Sequence, residues 1–140
     1  MVTHGPTSLV DLMKIVEAEF DNCPFHDGEK EEISKLPTNR NGFVYQIYVD
    51  GEIRFVGKCL AGIFKTVIKA HFVFQNREMV SKIEFIKRER SLGKTVQYKY
   101  IQTDPPSMIA LIESELVKKQ KLVLLWNRKK FEDYYKIPKK

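Results

Sequence analysis

Apolar residues recur at Leu9, Leu12, Met13, Val16 and Phe20, the three- and four-residue spacing of one helical face. Thr7 or Ser8 stands where a helix cap is needed. A polar stretch follows, in which a turn or two of helix is predicted around 29–36 before Pro37 stops it. The period then changes. Residues 43–49 and 52–56 are short apolar runs rich in Val, Ile, Phe and Tyr, and the Asp50-Gly51 pair between them is the signal of a two-residue hairpin turn. Residues 60–72 return to helical spacing. So do residues 77–92, with Met79, Ile83 and Ile86 on one face and Gly93 as the C-terminal stop. The run "TVQYKYIQT" alternates and predicts a third strand. Pro105-Pro106 breaks the chain, Ser107 is placed to cap a helix reaching about residue 121, and the short apolar run "LVLLWN" reads as extended. An aromatic and basic tail closes the sequence.

The order helix, strand, strand, helix, helix, strand, helix predicts an α/β (α+β) fold, a small three-stranded, mainly antiparallel sheet flanked by helices. With 140 residues the chain is long enough for one domain with a real core. Its 43% hydrophobic and 30% charged residues are those of a globular protein, and no repeat or low-complexity tract interrupts it. No apolar run approaches the roughly 20 residues that span a bilayer, and the N-terminus lacks the features of a signal peptide. No membrane partner is therefore expected. Cys23 and Cys59 are too few and too far apart for a disulfide framework or a metal knuckle. Two free thiols suit an intracellular, reducing compartment, cytoplasm or nucleus.

Charge changes the picture more. The chain carries +6, but residues 1–40 hold four basic and eight acidic side chains (−4), and the remainder holds twenty and ten (+10). A basic body points to a polyanionic partner, nucleic acid first, whereas basic tails also occur on ordinary domains.

The predicted helix after Pro106 carries the most informative residue. On a helical wheel, Ile109, Ile112, Leu116, Val117 and Ala110 all fall within about 100° of Glu113, which puts Glu113 in the middle of the apolar stripe. A buried carboxylate needs a partner or an ion. Two readings stay open, a rim glutamate that reaches solvent or a lysine, and a functional carboxylate. Glu115 falls on the solvated side. The sequence contains no HExxH, GxSxG or GxxxxGK[ST] motif. His4 and His26 read as surface loop residues, and His71, at the end of a basic helix, as either structural or functional.

The stretch "VYQIYVDGEIRFVGK", residues 44–58, resembles the opening of the GIY-YIG nucleases. Those nucleases begin with a strand bearing a Tyr, a turn, and a second strand ending in Tyr-Ile/Val-Gly, often followed by Lys. Here Tyr45 is the first tyrosine and Phe55, Val56, Gly57 and Lys58 the second motif, ten residues on. The family's helical Arg falls at Lys65, its His at His71, its metal-binding Glu at Glu113 and its terminal Asn at Asn127. The layout is most similar to the branch found in ankyrin-repeat and LEM-domain nucleases, including fourteen residues from Glu113 to Asn127. The likeness covers 42–127, leaving 1–41 as an N-terminal helix with an acidic connection and 128–140 as a basic aromatic tail. Three positions depart from the family: Phe55 replaces a Tyr, Lys65 an Arg, and Cys59 a Gly.

The resemblance implies a divalent-metal-dependent DNA endonuclease, with a catalytically weak or inactive nucleic-acid-binding module as the alternative. It implies Mg²⁺ or Mn²⁺ on Glu113. It makes Tyr45 the acceptor of a water proton, provided that Lys58 or the metal lowers its pKa. Lys58 and Lys65 would neutralise transition-state charge. Asn127 would pin the sheet edge or the phosphate, and Gly57 would let the strand end pass close to the site. Lys58, Lys65, Lys69, Lys129 and Lys130 are the candidate DNA contacts, on plain or branched DNA. Tyr45, Lys58, Lys65 and Glu113 are expected on one surface, with Tyr45 and Lys58 side by side.

Overall fold

A computed structural model describes residues 2–3, 8–38, 42–59, 63–73, 81–104, 108–119 and 125–128. The first helix, α1 (Leu9–Asn22), starts where Ser8 Oγ accepts the Asp11 amide at 3.1 Å. A short helix, α2 (Lys30–Ile33), follows. Strands β2 (Gly42–Val49) and β3 (Glu52–Cys59) form the predicted hairpin. Its turn residues Asp50 and Gly51 both have positive φ, 49° and 81°, as a tight hairpin turn matched to strand twist requires. The third long strand, β4 (Val96–Asp104), pairs antiparallel with the other side of β2. A two-residue strand, β1 (Val2–Thr3), unforeseen in the sequence, runs parallel to the outer edge of β4 and gives the order β1-β4-β2-β3.

Helices cover both faces, which makes an α+β sandwich. On one face Phe43, Tyr45, Ile47, Phe55 and Tyr98 pack under α3 (Phe64–Phe72), α4 (Ile83–Ser91) and the short α6 (Leu125–Arg128), with α2 beside them. On the other, Val44, Val56 and Ile101 meet Leu12, Val16 and Phe20 of α1 and Ile109, Ile112 and Leu116 of α5 (Ile109–Lys119). The N-terminal helix therefore shares the core of the sheet. As the central strand, β2 is buried on both sides, which accounts for its near-continuous apolar sequence. No helix among the described residues is long and apolar enough to cross a membrane.

Three places differ from expectation, each because of a contact with another element. α4 begins at Ile83 because the residues before it serve α3 instead: Ser81 Oγ donates to the Ala70 carbonyl at 2.6 Å and the Lys82 amide donates to His71 Nδ1 at 2.9 Å. Gly93, at φ 80°, ends α4 as predicted, with the Gly93 and Lys94 amides bonding the carbonyls of Arg90 and Glu89. The described part of "LVLLWN" is a helical turn rather than a strand, because Trp126 is wholly buried against Phe85 while Asn127 turns to the sheet edge. His26 is no mere surface residue. Its backbone exchanges two 2.9 Å hydrogen bonds with Tyr98, and its ring stacks on that tyrosine.

Candidate active site at the β3 edge

Tyr45 on β2 and His71 on α3 form a buried pair, Oη to Nε2 2.6 Å, with exposures of 3% and 1%. The ring's other nitrogen settles the proton. Nδ1 faces the Lys82 amide, which can only donate, so Nδ1 is bare and Nε2 carries the hydrogen. His71 therefore donates to Tyr45 Oη, and the phenol's own hydrogen is left to go elsewhere. Burial, helped by the charge of Lys82, lowers the pKa of His71 to about 3, so the imidazole is neutral at physiological pH. Burial is also the chief cause that raises the Tyr45 phenol above its ordinary value, with Cys59 and Glu113 adding to it. The surroundings of Tyr45 thus shift its phenol in the direction opposite to that expected of a proton acceptor. Tyr45 is a protonated phenol.

The register of the hairpin explains why glycine precedes Lys58. Tyr45 and Gly57 are direct cross-strand partners, and any Cβ on Gly57 would overlap Cζ and Oη of the Tyr45 ring. Phe55, two residues back on the same face, is 6% exposed, its ring centroid 6.1 Å from that of Tyr45 and 5.6 Å from that of His71. Tyr45, Phe55, Gly57 and His71 form one cluster.

Lys58 belongs to the opposite face. Strand alternation turns it away from Gly57 and pairs it with Val44, on the side of α5. There its Nζ lies 3.2 Å from Glu113 Oε1. Tyr45 and Lys58 are therefore not side by side, and the expected single surface resolves into two faces that meet around β3. The charge of Glu113 nevertheless acts on the phenol, adding to burial and Cys59 in raising its pKa. The wheel is corrected as well. Ile109, Ile112 and Leu116 are the buried positions of α5 and Ala110 is exposed, so Glu113 sits on the flank of the stripe, 23% exposed, with a lysine partner.

Asn127 holds β3 from outside. Its Oδ1 accepts the Val56 amide at 2.9 Å and its Nδ2 donates to the Val56 carbonyl at 2.8 Å, as a neighbouring strand would. Of the two roles the sequence offered, it fills the sheet-edge one. Lys65, half-buried in the first turn of α3, makes no hydrogen bond or ion pair among the described residues and does not join Tyr45 or Lys58. Lys69 is half-buried on the same helix. Lys129 and Lys130 lie outside the described residues.

Among the described residues no group of three or more His, Cys, Asp or Glu side chains could hold an ion. Glu113 is the candidate carboxylate donor, partly exposed and paired with Lys58. That donor set suits a hard cation that keeps most of its water shell and takes one or two protein carboxylates. Two contacts were missed in the sequence, the Lys82 amide on His71 and the hydrogen bond from Tyr48 to Gln46. Gln46 had left a signal, a carboxamide in the middle of an otherwise apolar central strand.

Comparison with family models, curated proteins and solved structures finds no match.

Proposed function

We propose that this chain is a divalent-metal-dependent DNA endonuclease of the GIY-YIG kind, hydrolysing phosphodiester bonds. The supporting observation is the 3.2 Å contact of Lys58 with Glu113, which joins the Lys of the Phe-Val-Gly-Lys motif to the helix carboxylate beside the strand that also contacts Tyr45. Glu113 would hold Mg²⁺ or Mn²⁺, which supplies Lewis-acid stabilisation of phosphate charge when bound. Lys58, released from Glu113, would then neutralise the phosphate. Tyr45, kept neutral by burial and fixed by His71, would offer its hydroxyl hydrogen to a phosphate or water oxygen instead of removing a proton. Gly57 leaves room for the phenol, and Asn127 keeps the edge strand in register.

The burial of Tyr45 and the phenyl ring at Phe55 favour a second reading, a nucleic-acid-binding module with weak or no cleavage. Nicking of supercoiled plasmid with Mg²⁺ or Mn²⁺ tests the two. Metal-dependent nicking that is lost in Glu113→Gln supports the endonuclease. DNA binding without nicking in either metal supports the module.

A further inference from the structure

α1, α5 and the β2–β3 hairpin line a cleft of about 320 Å³, at the small end of the roughly 300–1,000 Å³ usual for ligand sites. Phe20, Ile53 and Leu116 form apolar walls, and Asp21, Gln46 and Tyr48 bring polar groups to it. A Glu17–Lys119 ion pair ties the two helices at its rim. Gln46 is the unusual member. It is 4% exposed, and its Oε1 accepts from the Tyr48 hydroxyl, which fixes the carboxamide and leaves Nε2 without a hydrogen-bond partner among the described residues. Gln46 lines the cleft, so this nitrogen is a free donor at its wall. Tyr48 is itself held in place, edge-on to Phe25 at 5.1 Å with the Lys99 ammonium 5.7 Å from its ring.

The cleft thus combines apolar walls, an N–H donor on a carboxamide held by Tyr48 and, on Asp21, a carboxylate acceptor. A planar ring with an exocyclic amine next to a ring acceptor complements that set. Adenine and cytosine have such an edge facing away from the sugar, whereas guanine's amine and N3 lie on the sugar side, and glutamine with adenine and a carboxylate with the cytosine amine are the usual side-chain pairings. Thymine offers no exocyclic amine. Leu116 and Lys119 lie three and six residues beyond Glu113 on α5, about 4.5 and 9 Å along the helix axis and on the same side of the sheet. We propose that this cleft receives an adenine or cytosine base of a DNA strand and so sets a base preference next to the phosphate at Glu113. The choice of a DNA base rests on the endonuclease reading.

The test is NMR titration of the full chain, without metal, with short homopolymeric deoxyadenylate, deoxycytidylate and thymidylate strands, and with the free deoxynucleosides. The expected result is movement of the Gln46, Tyr48 and Lys119 amide signals by the adenine or cytosine strand, with thymidylate binding about tenfold more weakly. Asp21→Asn, at an exposed position, should erase that preference, and Gln46→Leu should weaken binding about tenfold where it folds. Equal binding of all three strands, signal changes confined to other residues, or an unchanged preference in Asp21→Asn would overturn the proposal. Free deoxynucleosides that occupy the cleft while strands do not would overturn the DNA source. A chain that shows the preference but never nicks DNA keeps this site and loses the endonuclease. One that nicks DNA without disturbing Gln46 does the reverse.

Discussion

His71 donates its Nε2 hydrogen to Tyr45 Oη across 2.6 Å, while its Nδ1 accepts the Lys82 amide. One imidazole thereby ties β2, α3 and the start of α4 together inside the core. It can do so in only one protonation state, because a second ring proton would point at an N–H group.

Acid should therefore weaken the fold through His71. Its folded pKa of about 3 lies below the ordinary value of 6.5, so the unfolded chain binds the extra proton first. The contribution is complete above about pH 6.5 and is lost as pH falls toward 3, at about 1.4 kcal/mol per pH unit. Urea midpoints measured between pH 7 and 4 should show this slope. His71→Gln should be less stable at pH 7 and show a shallower slope over the same interval. An equal slope in the variant would assign the acid sensitivity to other groups.

Gly57→Ala should destabilise by about 1–3 kcal/mol, since the added methyl must displace the Tyr45 ring or the strand. Tyr45→Phe removes one of the three overlapped atoms, the others being Tyr45 Cζ and Phe55 Cε2, so in the double variant the cost of Gly57→Ala should shrink. Chemical denaturation of all four chains gives the coupling, and simple additivity would mean that the ring moves freely.

Asn127→Ala should cost about 1–3 kcal/mol, because it strips partners from both backbone groups of the buried Val56. Hydrogen exchange at the Val56 amide should accelerate well beyond that of Ile47 in the central strand. Unchanged protection at Val56 would show that the clamp adds nothing to the edge.

Lys58 and Glu113 should matter far more to chemistry than to stability. Both are partly exposed, so separating them should change unfolding by less than about 1 kcal/mol. Glu113→Gln should abolish metal-dependent nicking and leave DNA binding nearly intact. The charge-exchanged double variant Lys58→Glu/Glu113→Lys should restore the ion pair without restoring cleavage. Equal cleavage by Glu113→Gln would identify a different carboxylate.

Phe55→Tyr should raise the nicking rate, by about 10–1000-fold if its hydroxyl adds one transition-state hydrogen bond. DNA affinity of the parent chain should fall steeply between about 50 and 200 mM salt, as released counterions demand. A flat salt response would argue against a surface that tracks phosphates.

Elements whose cause is local were legible in the sequence. Ser8 caps α1 because its hydroxyl reaches the Asp11 amide, Asp50-Gly51 turns the hairpin because both residues tolerate positive φ, and Gly93 ends α4 for the same reason. The alternating third strand and the apolar faces of α1 and α5 follow from period alone. The resemblance noted in the sequence also pointed to residues with contacts on β3: Tyr45 opposite Gly57, Lys58 on Glu113 and Asn127 on Val56. What tertiary structure alone decided was which side each one takes. Cross-strand register put Tyr45 opposite Gly57 and sent Lys58 to the other face, and a difference of one residue reverses such an assignment. Both sheet edges are closed by distant pieces, Asn127 on β3 and His26 with β1 on β4, whose partners lie about 70 to 100 residues away and leave no periodic trace. The protonation of Tyr45 and the tautomer of His71 were likewise out of reach, because the first depends on burial and the second on the Lys82 amide, and both exist only after the helices have packed.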